Sequence, residues 1–198
     1  VSSLLKTNSI SAATGSTVSI PSGTTLDIAS GATLDTTGAT VSGLTTGKVL
    51  QVVQAVKTDG GSTNSTSYVT TGLEVSITPS ATSSKVLVIA NPVLSGGSVS
   101  NVTSQLWRDS TAIILGDTSG SKNRASSGWL YVYSAYQGTA VPVVYLDSPS
   151  STSAITYKIV YKSSSSSYSA YINESENSAD NSGYSRGAST ITAMEIAG

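Results

Sequence analysis

The sequence predicts an all-β protein in two parts: an N-terminal trimeric β-repeat shaft over residues 1–47, then an antiparallel jelly-roll sandwich head over residues 48–198. Three observations carry this. Glycines recur with a period of eight near the N-terminus. From Lys48 onward, short apolar–polar runs alternate with clusters of Gly, Ser, Asn, Asp and Pro. No stretch of useful length shows helical periodicity, and strong helix formers are scarce.

The repeat comes first. Gly15, Gly23 and Gly31 are eight residues apart, and Gly38 follows after seven. Two residues after each glycine stands a threonine (Thr17, Thr25, Thr33, Thr40), followed by an apolar residue (Val18, Leu26, Leu34, Val41). A second apolar position holds Ile20 and Ile28, then degrades to Thr36. Each octad therefore reads as a short strand and a bend at Ser-Gly. One or two small side chains per strand cannot offset the entropy of ordering eight residues. Three identical chains wound together can, with Val18, Ile20, Leu26, Ile28 and Leu34 meeting at the axis. A flexible Gly/Ser/Thr linker is the plain alternative, but a linker has no reason to keep Val, Leu and Ile in register.

The head reads as ten strands: 49–56, 66–77 with a kink at Thr71-Gly72, 85–94, 102–108, 111–115, 128–136, 140–147, 154–162, 168–172 and 188–197. Ten short strands with turn signals between them indicate a sandwich or jelly roll. In 154–162, Ile155, Tyr157, Ile159 and Tyr161 share one face, and Thr156, Lys158 and Lys162 share the other, so one side is wet. The first, third and last strands are apolar on both faces. An antiparallel sandwich has one core, so such strands need a second surface to pack on. A subunit interface through Val52 and Val88 is the expectation, and cover by loops of the same chain is the alternative.

Composition removes whole classes of function. The chain has no Cys and no His. Disulfides, thiol nucleophiles, zinc fingers and imidazole bases are therefore absent. Ten basic against eleven acidic side chains leave a net charge of −1, which disfavours nucleic acid as a partner. The longest apolar run, Ala140–Leu146, is far short of the ~18 residues that cross a bilayer, so no membrane insertion is expected. Glu174 to Asp180 is acid-rich but lacks EF-hand spacing. No cofactor, metal site or catalytic activity is expected.

Strict alternation of the ten strands places loops 57–67, 95–101, 116–127, 148–153 and 173–187 at the end far from the repeat. It leaves the shorter loops 78–84, 109–110, 137–139 and 163–167 at the near end. Long loops on a rigid scaffold are where binding residues concentrate. The two longest carry Lys122, Arg124, Glu174, Glu176, Asp180, Tyr184 and Arg186. Acids, amides, Arg and Tyr can hydrogen-bond sugar hydroxyls and stack on sugar rings. The same residues are also ordinary solvated loop composition.

Several segments carry a resemblance. GKVLQVVQAVKTD from Gly47, EVSITPSATSSKVLVIA from Glu74 and the closing GASTITAMEIAG from Gly187 resemble the C-terminal domain of bacteriophage tail fibres and related virion appendages. The octads PSGTTLDIASGATLD resemble the shaft repeats that precede such tips. The resemblance implies a homotrimer with a fibrous shaft and a distal head similar to the tumour-necrosis-factor jelly roll. It further implies a virion, extracellular location, attachment to upstream tail proteins, and binding to a host-surface glycan or outer-membrane protein. No catalytic motif comes with it, and no binding residue is carried over. A polysaccharide depolymerase using a carboxylate pair, or a purely structural virion component, are the alternatives.

Overall fold

The structure, a computed structural model, describes residues 47–198 apart from Ser98, Gly128, Ser178 and Gly183. The octad repeat lies outside the described residues, and with it Val18, Ile20, Leu26, Ile28 and Leu34.

The described residues are all-β. The strands are β1 (Val49–Lys57), β2 (Gly61–Thr63), β3 (Val69–Ile77), β4 (Lys85–Asn91), β5 (Val93–Gly96), β6 (Ser100–Arg108) and β7 (Thr111–Ile113). They continue as β8 (Trp129–Val132), β9 (Thr139–Ala140), β10 (Val143–Asp147), β11 (Ile155–Ser163), β12 (Ala170–Ile172) and β13 (Ser189–Ile196). A front sheet has the order β1-β13-β4-β10. A back sheet has the order β3-β11-β6-β7, with β8 also on β6. A cap sheet has the order β2-β12-β5-β9. The pairings are antiparallel.

The core lies between front and back. Val86, Val88, Ala90, Ile191 and Ala193 of the front sheet meet Leu73, Val75, Leu106, Tyr157 and Ile159 of the back sheet, all buried. This is a β sandwich, as the alternating pattern predicts. The kink expected at Thr71-Gly72 is a β-bulge. Gly72 has φ +77°, the β3–β11 register shifts opposite it, and the Thr71 hydroxyl donates to the Ile159 carbonyl at 2.7 Å.

The cap sheet continues the front sheet strand for strand: β1 leads to β2, β4 to β5, β9 to β10 and β12 to β13. Two prolines fall at the seam, Pro92 after β4 and Pro142 before β10. Neither can donate to a ladder. The runs 85–94 and 140–147 are therefore each two pieces in different sheets rather than single strands. Asn173 closes the seam. It is 1% exposed, with φ +61°, a conformation Asn tolerates. Its amide donates to the carbonyls of Lys57 (2.8 Å) and Asp59 (3.0 Å), and its Oδ1 accepts from Ser189 Oγ. Its backbone N–H donates to Val93 O at 2.9 Å.

The alternation of strand directions fails at two places. β7 and β8 are both antiparallel to β6, so they run the same way, end to end along one edge. β12 and β13 likewise run the same way. Assuming a reversal within each pair misplaces the loops between the two pairs. Loops 133–138 and 164–169 lie at the end opposite the start of β1, whereas 148–154 lies at the near end. Loop 114–128 lies on the flank.

That flank loop folds over the outer face of the back sheet. The Arg124 carbonyl accepts from Tyr68 Oη (2.9 Å) and Gln105 Nε2 (2.8 Å), and Lys162 Nζ donates to Asn123 Oδ1 (2.9 Å). The front sheet's outer face has no such cover among the described residues. Val52, Met194, Leu87 and Leu146 form one row straight across it, and Gln54, Thr192, Ile89 and Val144 form the next. Val52 is 54% exposed and Val144 60%. Of the two head residues expected at an interface, Val52 lies on this face. Val88 points the other way and is fully buried in the core, so Leu87 and Ile89 replace it as the outward residues of β4.

Candidate functional site

The connection from β12 to β13, residues 173–188, is fixed at its base by Asn173. Ser95 Oγ also donates to the Glu174 carbonyl at 2.8 Å. Beyond that anchor the loop encloses a depression of about 310 Å³ lined by Glu174, Asn177, Asp180, Tyr184 and Arg186 among others. A second, of about 270 Å³, adjoins it and adds Tyr136 and Gly138 from loop 133–138. Tyr184 borders both. Its ring stacks on Tyr136, with centroids 5.4 Å apart and planes 6° from parallel. The Asn177 N–H donates to the Ala135 carbonyl at 3.1 Å, so the two loops are tied by backbone as well.

Charge is arranged around this pair. Arg186 Nη2 lies 3.3 Å from Glu174 Oε2. Glu174 also packs against Gly60, where a Cβ would overlap its carboxylate. A side chain at position 60 would have to displace the Glu174 carboxylate. Lys57 pairs with Asp59 at 2.8 Å. That hydrogen bond holds the Asp59 carboxyl below its usual range, with a smaller pull from Arg186. Beneath, burial pushes the Tyr161 hydroxyl up to about 12, and the charge of Glu174 adds to the shift. Tyr161 is therefore a neutral phenol throughout the physiological range.

The loop residues expected to bind divide into two groups. Glu174, Asp180, Tyr184 and Arg186 come together in one depression. Glu176 is not among its lining residues; its carboxylate lies against Gly97. Lys122 and Arg124 are on the flank. Arg124 Nε donates to the Gly116 carbonyl, so this side chain holds its own loop. Lys122 borders a separate flank depression of about 530 Å³.

The sequence reading missed the aromatic partners. Tyr136 falls at the end of the run assigned as strand 128–136, but the strand stops at Val132 and Tyr136 sits exposed in the following loop. Trp129, Tyr131 and Tyr133 also fall in that run, yet they are exposed while Val132 is buried. Aromatics at every second position, opposite Leu130 and Val132, were the available signal.

Stacked phenols flanked by carboxylate, guanidinium and amide groups can hydrogen-bond hydroxyls and pack against the apolar face of a ring. Among the described residues no group of three or more acids could hold a metal ion, and no helix is long and apolar enough to cross a membrane. No protein-family model matches the chain, and no curated protein matches it.

Proposed function

We propose that the chain is the shaft and tip region of a bacteriophage tail fibre, a homotrimer whose jelly-roll head attaches the virion to a host-surface glycan or outer-membrane protein. The observation that carries this reading is the bare apolar outer face of the front sheet. Val52, Leu87, Met194 and Leu146 form a row with nothing over it among the described residues. Exposed apolar area of this extent marks an interaction surface. Three copies rather than two is what the tail-fibre resemblance implies, and it accords with the octad repeat. Its small apolar positions need a shared axis, and the same chain runs directly into β1. The jelly-roll assignment rests on how the chain crosses between layers. It passes from front to back at β1 and β3, returns at β4, and crosses again at β6, β10, β11 and β13.

The far-end depression with Tyr136, Tyr184, Glu174 and Arg186 is the attachment surface. Three copies on one axis gain avidity from weak individual sites. The head acts by binding rather than by catalysis, and its upstream partner is the rest of the tail. Light scattering tests assembly: the expected species has three times the 20.0 kDa chain mass. A folded monomer at micromolar concentration overturns it. A glycan array and whole-cell adsorption test attachment, and reducing-end release from host polysaccharide separates binding from cleavage.

A further inference from the structure

The flank depression is chemically unlike the far-end one. It is lined by Asn101, Thr103, Lys122, Asn123, Trp129 and Ser164. None of these is an acid, whereas the far-end depression holds Glu174 and Asp180. Trp129 is 72% exposed. Strand alternation turns Leu130 and Val132 toward the interior, so the indole and Tyr131 stand on the outer face of β8. A large aromatic ring in that position leaves costly apolar area in water unless something covers it.

The surroundings are built rather than loose. Ser164 N–H donates to the Asn101 carbonyl at 2.9 Å, and the Ser164 hydroxyl accepts from the Asn101 N–H at 3.2 Å. Asn123 is held by Lys162 at 2.9 Å. Lys122 has no side-chain partner among the described residues, so its ammonium is available. Lys162 and Arg124 lie on the same flank, and Asp117 is the one acid of the flank loop, so three cations against one carboxylate make the local field positive although the whole chain carries −1.

We propose that this depression is a second saccharide subsite, selective for an acidic sugar: a hexuronic-acid residue of a polysaccharide. The Trp129 indole takes the C–H face of the pyranose ring. Lys122 meets its carboxylate, and the amides of Asn101 and Asn123 address its hydroxyls. An indole face is electron-rich and a pyranose C–H face is weakly positive, so the two attract beyond their buried area. The carboxylate gives the charge selectivity that the neutral ring cannot.

The test is titration calorimetry with trigalacturonate and with its methyl ester, on the whole assembled protein. The acid binds saturably, the ester at least several-fold more weakly, and rising salt narrows that gap. Trp129→Ala weakens trigalacturonate about tenfold, the scale of one lost stacking contact. Lys122→Gln weakens the acid but leaves the ester unchanged. Both residues are exposed, so melting stays at the wild-type temperature. Tyr184→Ala also leaves this titration unchanged, which separates the result from the far-end site. Any of four results overturns the proposal: no saturable heat with trigalacturonate, equal affinity for acid and ester, wild-type affinity in Trp129→Ala, or equal binding of a short oligonucleotide. The last would assign the surface to anions in general.

Discussion

The two outer faces of the sandwich are finished in opposite ways. On the back sheet, Gln105 and Thr103 point outward and are nevertheless buried, because loop 114–128 lies over them. Gln105 is satisfied twice, donating to Arg124 O and accepting from Trp107 Nε1 at 2.8 Å. Lys162 and Lys158 sit over the Tyr68 and Trp107 rings at 5.0 and 5.9 Å. On the front sheet the outward residues include Val52, Leu87, Met194, Ile89, Val144 and Leu146 beside Gln54 and Thr192, and no segment among the described residues lies over them. A polar face can be completed by one's own loop. An apolar one left bare fits the proposed contact between copies, since burying each Val or Leu is worth roughly 1.5–3 kcal/mol.

The front sheet also inverts the usual polarity. Met194 points out, while Glu195 points in and is 1% exposed. Burial alone would raise the pKa of Glu195. Ser80 Oγ and N–H, Gln51 and Ser84 all donate to it at 2.6–2.7 Å, and together they hold it at about 2.

The largest effect separates the two faces of the front sheet. Val88→Asp puts an unpaired charge into the core and should prevent folding at ordinary temperatures, seen as loss of the β signal in circular dichroism. Val52→Asp should leave each head folded but disperse the copies, because symmetry imposes the buried charge once per subunit. Light scattering reads this directly. If Val52→Asp keeps the full mass and the wild-type melt, the front face is not where copies meet.

Glu195→Gln comes next. The folded pKa lies below the ordinary 4.5, so the carboxylate's contribution is complete above about pH 4.5 and is lost as pH falls toward 2. The variant should lose about 1.5–3 kcal/mol at pH 7, the worth of hydrogen bonds to a charged group. Its stability should fall less than that of the wild type between pH 5 and pH 3. Urea unfolding at the two pH values decides it; parallel losses would show that Glu195 is not the titrating group. Tyr68→Phe is smaller. It removes one bond holding the flank loop, about 0.5–1.5 kcal/mol, and should speed amide exchange across 114–127 without changing the mass of the assembly.

Much of this was legible from residues alone. Each of the ten expected runs overlaps a strand, because period-two alternation survives wherever one face meets the core. The front sheet's second apolar face was also legible, though not which side of β4 belonged to it. Val86, Val88 and Ala90 look no more buried in the sequence than Leu87 and Ile89, and only pairing with β13 and β10 decides. Direction was not legible. Nothing in the residues between Ile113 and Trp129 says that the chain resumes the same edge in the same sense, and that one step moved 148–154 and 133–138 to opposite ends. The binding loops suffered less, since β12 and β13 repeat the trick and restore the count. Tyr136 was invisible as a partner of Tyr184 because stacking across 48 residues has no local signature.

The smallest effect on stability should be the largest on binding. Tyr184 and Arg186 sit on a loop whose fold is secured elsewhere, by Asn173 at the seam and by the Asn177–Ala135 backbone bond. Removing the Tyr184 ring strips one face of the stacked pair and takes away the hydroxyl that accepts from Asn177 Nδ2 at 3.4 Å, but it leaves the Asn173 and Asn177–Ala135 anchors in place. Arg186→Ala removes the ion pair to Glu174, whose main-chain carbonyl Ser95 Oγ still holds. Both variants should therefore melt within about 0.5 kcal/mol of wild type. Adsorption of the labelled assembly to host cells should fall severalfold for each, since every site loses the same contact and avidity multiplies the loss. Lys85→Ala, at the start of β4 and the opposite end, is the control, with light scattering showing that its assembly keeps the wild-type mass. Adsorption unchanged in both loop variants would move attachment off the far end and onto the flank that carries Trp129.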